Sequence, residues 1–212
     1  MTPNTTFVQR LLQLPLLQAD WVLWVLIAVS MISVGVMVER FFFYRQRRLA
    51  ISPLRDAFAK ALAARDYPGA DAVLSTTDTL ETNVLRQVLP EVSWGPDAVE
   101  DLITGITQKE KERYDERLGL LATVASTAPF IGLFGTVLGI IHAFKDLASN
   151  LKDASMTAMS GVSEALVTTA LGLLVAIPSL IACNFFKRRV KLSTNNALLL
   201  SRTLLAHLKS IE

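Results

Sequence analysis

Glu164 is the only charged residue in a long apolar stretch, VSEALVTTALGLLVAIPSLIACNFF (162–186). A carboxylate in a membrane-crossing helix, or at its mouth, is costly unless it is paired, protonated or hydrated, so such residues usually belong to functional sites. Two hydroxyls, Thr168 and Thr169, follow it closely, and a third, Thr136, lies in an earlier apolar stretch. A titratable carboxylate accompanied by hydroxyls suits the handling of protons or small cations.

The placement of these groups leaves alternatives open. At 3.6 residues per turn, Thr168 lies about 40° from Glu164 around the helix and Thr169 about 140° away. Glu164 could instead belong to the first turn of its helix, capped by Ser160 or Gly161, where the helix dipole favours a carboxylate. Membrane hydroxyls also commonly bond to carbonyls of their own helix.

Three segments are long and apolar enough to span a bilayer, which requires about 20 residues. We predict membrane helices over 21–39, 118–144 and 162–186 in a chain whose composition is 51% hydrophobic. An arginine cluster follows the first segment and no small-residue cleavage pattern ends it, so it is interpreted as a retained helix and not a cleaved signal.

The basic residues predict the orientation of the spans. They follow the first span at Arg40, Arg45, Arg47 and Arg48, and the third at Lys187, Arg188, Arg189 and Lys191. Because positive residues concentrate on the cytoplasmic side, we expect the N-terminus outside and the C-terminus inside. The predicted segments outside the spans are an external N-terminal segment (1–20), a cytoplasmic helical domain (40–117), an external loop (145–161) and a cytoplasmic C-terminal helix (187–212).

The predicted architecture is an all-α integral membrane protein in which two spans continue as long cytoplasmic helices. No proline occurs between Pro96 and Pro129, and this predicts one helix over 97–144. The third span is expected to continue into the tail, where Ala197, Leu204, Leu208 and Ile211 have heptad-like spacing.

Small residues form stripes on the second and third spans and predict close helix packing. The packing residues are Gly132, Gly135, Gly139, Gly172 and Ala176. Pro129 and Pro178 are expected to kink their helices. Three such helices cannot enclose a pore by themselves, so a central passage would require a homo-oligomer.

Several kinds of chemistry have no support in the sequence. We find no nucleotide-binding loop, nucleophile arrangement or metal-ligand cluster, and therefore expect no enzymatic activity, cofactor, metal site or nucleic-acid binding. Cys183 is interpreted as a packed apolar side chain, and His142 as an interfacial residue at the outer end of its helix.

Two long motifs, APFIGLFGTVLGI (128–140) and SGVSEALVTTALGLLVAIPSLIACN (160–184), closely resemble the MotA/TolQ/ExbB proton channel family. The resemblance is strongest over 118–190. GIIHAF (139–144), with His142, looks slightly closer to the TolQ branch than to ExbB.

The resemblance implies a bacterial inner-membrane subunit that forms pentamers around single-span ExbD/TolR-type partners, each carrying a membrane aspartate. Proton flow would then drive a TonB-like, TolA-like or motility effector in the periplasm. By position in the motifs, Thr136, Glu164 and Thr169 correspond to the family's proton-pathway residues, whereas Thr168 is an additional hydroxyl.

Three hypotheses remain at this point: a proton-driven motor subunit, which includes a gliding-motility relative, a structural scaffold for envelope proteins, and a passive channel that needs no partner. The motor subunit is favoured because a scaffold needs neither a carboxylate nor hydroxyls at a helix–helix face. The sequence leaves open the energised process, the partner's stoichiometry and the choice between proton and sodium.

Overall fold

The computed structural model describes residues 20–47, 49–149 and 154–210, and throughout these ranges the secondary structure is helical, with no strand. The elements are α1 (Asp20–Gln46), α2 (Ile51–Ala63), α3 (Tyr67–Ser75), α4 (Leu80–Val88), a 3₁₀ helix (Leu89–Trp94), α5 (Pro96–Asp115), α6 (Leu118–Ser149) and α7 (Ala154–Lys209). Residues 1–19 of the predicted N-terminal segment lie outside the description. The all-helical prediction is confirmed for the described residues.

Three helices are long and apolar enough to cross a membrane, as predicted. They cover Trp21–Gln46, Leu118–Ala148 and Met159–Lys209. The predicted loop at 145–161 is largely helical, because α6 continues to Ser149 and α7 starts at Ala154. The sides of the membrane assigned to the intervening segments stay predictions.

The expected continuation of the third span into the tail is confirmed. α7 is one helix of 56 residues. Ala197, Leu204 and Leu208 are buried, as the heptad-like spacing predicts. Ile211 is outside the described residues.

The expectation of one helix over 97–144 is wrong. α5 ends at Asp115 and α6 begins at Leu118, because Glu116 is extended and Arg117 adopts a left-handed conformation with φ 64°. Neither residue is a local helix breaker, so the break must be stabilised by contacts from elsewhere in the chain.

α1 supplies those contacts. The Tyr44 hydroxyl donates to the Tyr114 carbonyl at 2.5 Å and so satisfies a backbone group left free by the end of α5. Arg117 pairs with Glu39 at 3.3 Å. The break is therefore determined by tertiary contacts.

The chain divides into two compact units, the first comprising residues up to Met37 and Leu120–Cys183, the second Val38–Gly119 and the residues from Asn184 onward. The second unit has a continuous apolar core that includes Phe58, Leu85, Val99, Leu200 and Leu204.

Capping residues set the ends of the short helices in the second unit. Asp66 accepts a hydrogen bond from the Gly69 backbone N–H at 2.8 Å and caps α3. Thr79 and Thr82 form a capping box at the start of α4. The side chains of these residues satisfy backbone donors that the first helical turn leaves free.

We predict that Phe58→Ala destabilises the second unit by about 4 kcal/mol, because the fully buried ring leaves a cavity that its neighbours fill only partly. Trp94→Ala is the control: its ring is 60% exposed, and we expect a loss under about 1 kcal/mol. Thermal unfolding of the full chain, followed by circular dichroism, measures both. Equal destabilisation by the two variants would contradict the assignment of Phe58 to the core.

Candidate functional site: hydroxyls between α6 and α7

Glycines bring α6 and α7 into backbone contact. A Cβ built on Gly172 would lie 2.6 Å from the Ala128 carbonyl oxygen and 3.0 Å from the Gly132 Cα. A Cβ on Gly132 would lie 2.9 Å from the Thr168 carbonyl oxygen. Backbone atoms cannot move aside as a flexible side chain can, so no side chain fits at either position.

The same interface continues toward the ends of the helices. A Cβ on Gly139 would lie 2.6 Å from the Cβ of Ala165, and one on Gly161 would lie 2.9 Å from the Cβ of Ala143. The predicted small-residue stripes are therefore the surfaces through which α6 and α7 meet, as small residues permit in membrane helices.

α1 packs against this pair through apolar side chains. Leu26 of α1 forms a buried cluster with Val124 and Ala128 of α6 and Ala176 of α7. Nearer the start of α1, Trp21 contacts Phe134 edge-on at 6.2 Å between ring centroids. The three helices of the first unit thus share one apolar core.

Two threonine hydroxyls meet inside the α6–α7 interface. Thr136 is buried, and its Oγ1 forms a short hydrogen bond with Oγ1 of Thr169, in which either atom can donate. The Thr136 hydroxyl also lies 3.2 Å from the Gly132 carbonyl oxygen and 3.2 Å from that of Ala165. The Thr169 hydroxyl lies 3.2 Å from the Gly132 oxygen.

These four groups form a cluster in which hydrogen bonds can be exchanged. A hydroxyl carries one proton and two lone pairs, so Thr136 can donate to the Gly132 or Ala165 carbonyl while accepting from Thr169. Alternatively, Thr136 can donate to Thr169 while Thr169 donates to the Gly132 carbonyl. Rotation of the two hydroxyls changes the partners without moving a helix. The two hydroxyls can therefore switch their hydrogen bonds between the Gly132 carbonyl of α6 and the Ala165 carbonyl of α7.

Thr168 has a different position. It is buried, but its methyl group packs toward Gly135, where an added Cβ would lie 2.4 Å from the Thr168 Cγ2. Of the two adjacent threonines, the structure thus brings Thr169 to Thr136. Thr168 and Glu164 are residues i+4 and i of α7 and lie on one side of the helix, as the helical period predicts.

Glu164 is exposed on the surface of the single chain. It forms no hydrogen bond or ion pair with another residue that the structure describes. The alternative in which it starts the helix is not supported, because α7 begins at Ala154, and Ser160 and Gly161 are already helical. Its side chain is therefore available to groups outside this chain.

Other polar groups of the spans bond locally. Ser126 and Thr127 each donate to the Thr123 carbonyl, at 3.0 and 2.8 Å. His142 lies 3.5 Å from Asp146 on the same helix. Pro129 and Pro178 lie inside α6 and α7, and the kinks predicted at them stay predictions.

Within the described residues no group of three potential metal ligands occurs. Cys183 is buried and is not in a disulfide, consistent with a packed side chain.

The carbonyl groups of Gly132 and Ala165 are part of the site, although no sequence pattern predicted them. Every residue has a carbonyl, so residue type carries no signal for one that serves as an acceptor. The small-residue stripes predicted close helix packing, and this is the indirect signal that α7 backbone could lie within reach of α6. The particular contact of Gly139 with Ala165 comes from the structure.

Comparison with known proteins supports the family resemblance of the two sequence motifs. Residues 76–197 match the MotA/TolQ/ExbB proton channel family. The Tol-Pal system protein TolQ of Haemophilus influenzae is 46% identical over 103 residues, 45% of each chain. TolQ of Pseudomonas aeruginosa is 47% identical over 81 residues, 38% of this chain and 35% of the relative.

A longer alignment is found with the biopolymer transport protein ExbB of Salmonella typhimurium, which is 32% identical over 161 residues, 70% of this chain and 64% of the relative. The aligned parts cover less than half of the two TolQ proteins. The family match includes the three site residues Thr136, Glu164 and Thr169 and extends over more than half of the chain. The chain belongs to the MotA/TolQ/ExbB proton channel family, as a TolQ/ExbB-like subunit.

Proposed function

We propose that this protein is the proton-channel subunit of a stator that uses the proton motive force to drive a process in the periplasm or at the outer membrane. The observation that carries the proposal is the division of the site. A hydroxyl pair lies between α6 and α7, with Thr136 buried and Thr169 half-buried, while the one carboxylate of α7's apolar stretch is exposed on the single chain. The proposal is one of transport and not of enzymatic catalysis.

The divided site supports an assembly with further chains. Glu164 has no partner among the described residues, and a lone carboxylate facing lipid is costly. Contact with another copy of this chain or with a polar partner would relieve that cost. We therefore propose a homo-oligomer, a pentamer by family resemblance, that surrounds an ExbD/TolR-type single-span subunit with a membrane aspartate.

In this arrangement Glu164 exchanges a proton with water at the entrance of the channel. The hydroxyls of Thr136 and Thr169 provide hydrogen-bonding groups on the way to the partner's aspartate. A charge that crosses the whole membrane potential releases about 2.3 kcal/mol per 100 mV. This free energy is sufficient to bias small rotational steps of the partner. A TonB-like, TolA-like or motility effector would receive the motion in the periplasm.

The proposed location is the bacterial inner membrane, with the N-terminus in the periplasm and the C-terminus in the cytoplasm. Supporting this orientation, four basic residues follow the first predicted span and four follow the third. Cysteine labelling tests it: a Cys183→Ala chain carrying a cysteine at Ser210 should react with a membrane-impermeant thiol reagent only after the inner membrane is opened.

The decisive experiment measures proton flux in vesicles that hold the full chain with or without its single-span partner. A stator subunit conducts under an imposed potential only when the partner is present. Conduction by this chain alone would indicate a passive channel, and no conduction with the partner would indicate a scaffold. Replacing sodium by choline on both sides should leave a proton flux unchanged and abolish a sodium flux.

We predict that Thr169→Val lowers this flux about fivefold. Valine keeps the shape of threonine but removes the hydroxyl that bonds Thr136, and a net hydrogen bond contributes about 1 kcal/mol. Thr127→Val is the matched control, because the exposed Thr127 hydroxyl bonds only within its own helix. A control loss as large as that of Thr169→Val would mean that the pair has no special role.

A further inference from the structure

An open cavity of about 590 Å³ lies in the second unit, where the α5–α6 connection faces α7. Lys111 and Asp115 line it from α5, and Lys187, Lys191 and Thr194 line it from α7. The three α7 residues follow one another at spacings of four and three, so they lie on one face of that helix.

The cavity carries an excess of positive charge. Three ammonium groups face one carboxylate, and none of the three lysines forms an ion pair with another described residue. Lysines without a carboxylate partner that converge on one cavity favour an anionic ligand. An ammonium group binds phosphate oxygens as a point charge, without requiring a fixed geometry.

Thr194 adds a neutral hydrogen-bond donor to the three lysines of the cavity. The Oγ1 atom of Thr194 is buried and has no hydrogen-bond partner. On the same helix, Ser179 and Thr203 donate to the carbonyl four residues earlier, at 2.8 and 3.3 Å. The Thr194 hydroxyl makes no such bond, and a rotation about its Cα–Cβ bond would let it donate to a ligand in the cavity that its residue lines.

The position of the cavity along the chain indicates the source of the anion. Leu118 and Gly119 also line the cavity, and they are the first residues of the second candidate span. Lys187 directly follows the apolar stretch that ends at Phe186. Basic pockets at the ends of membrane helices on the positively charged side are where acidic phospholipid headgroups bind. A headgroup at this level can keep its acyl chains in the bilayer.

We propose that this cavity binds the phosphate of an anionic phospholipid, held by Lys111, Lys187 and Lys191 and by the Thr194 hydroxyl. Asp115 opposes the phosphate and weakens its binding. The proposal concerns residues outside the hydroxyl cluster, so it stands or fails independently of the proposed transport function.

The test measures binding of fluorescently labelled phosphatidylglycerol to the full chain in neutral detergent, by anisotropy. We expect the double variant Lys187→Gln/Lys191→Gln to weaken binding about 30-fold, since each lysine near an anionic lipid contributes about 1 kcal/mol. Arg188→Gln/Arg202→Gln is the matched control: it removes two exposed charges from the same helix outside the cavity, and we expect less than a twofold change.

Asp115→Asn provides a test with the opposite sign, and it remains informative if the lysine variants fold poorly. Removal of the opposing carboxylate should strengthen phosphatidylglycerol binding severalfold, without a lower melting temperature. Thr194→Val should weaken binding by about fivefold, as expected for the loss of one hydrogen bond.

Competition experiments distinguish a phospholipid from a soluble phosphate as the ligand. Unlabelled phosphatidylglycerol should displace the probe, whereas phosphatidylcholine should not. Displacement by millimolar inorganic pyrophosphate but not by unlabelled phosphatidylglycerol would overturn the lipid assignment in favour of a soluble phosphate. Equal losses in the lysine and arginine double variants, or no gain with Asp115→Asn, would also overturn it, because the effect would then be one of diffuse surface charge.

Discussion

Replacement of Glu164 by glutamine is expected to reduce partner-dependent proton flux by about 100-fold or more, to the level of vesicles without the partner. The amide has almost the same shape as the carboxylate but cannot take up and release a proton, and a positioned proton-transfer group contributes factors of this size. The fold of the single chain should be unaffected, because Glu164 is exposed and bonds no other described residue.

Two further variants separate the charge from the position. Ser163→Ala alters the neighbouring exposed residue, whose hydroxyl bonds the Met159 carbonyl at 2.8 Å, and should conduct as the wild type does. Glu164→Asp keeps an acid on a shorter side chain and should retain part of the flux. Wild-type flux in Glu164→Gln would contradict the assignment of Glu164 to the proton pathway.

Gly172→Ala is expected to destabilise the first unit by about 3 kcal/mol. The added methyl group would lie 2.6 Å from the Ala128 carbonyl oxygen and 3.0 Å from the Gly132 Cα, so relief of the overlap requires the helices to separate. Separation would also pull Thr169 away from Thr136, and we expect proton flux to fall along with stability. Thermal unfolding of the full chain in detergent measures the first effect and the vesicle assay the second.

Gly35→Ala is the matched control for this prediction. It makes the same change in α1, where an added Cβ meets no atom within 4 Å. Alanine is favoured over glycine in a helix by up to about 1 kcal/mol, so this variant should melt at the same temperature as the wild type or slightly higher. If Gly172→Ala and Gly35→Ala have the same melting temperature, the α6–α7 contact is looser than the structure shows.

The break between α5 and α6 shows where reasoning from local sequence stops. Lys109–Arg117 contains no proline or glycine, and its residue types permit a continuous helix. The structure breaks it at Glu116 and Arg117, where Tyr44 and Glu39 of α1 bind the freed groups. Those contacts join residues about 70 positions apart, and no local rule contains them.

Sequence alone determined the three membrane helices and the small-residue stripes. Length and apolarity are local properties because the bilayer imposes them on each helix separately. The sequence alone did not decide whether Thr168 or Thr169 contacts Thr136. Both lie on α7, and only the rotation of α7 against α6, set by the contact of Gly132 with Gly172, brings Thr169 to Thr136 and leaves Glu164 exposed. That rotation depends on how two backbones fit together, so it was decided by the tertiary structure.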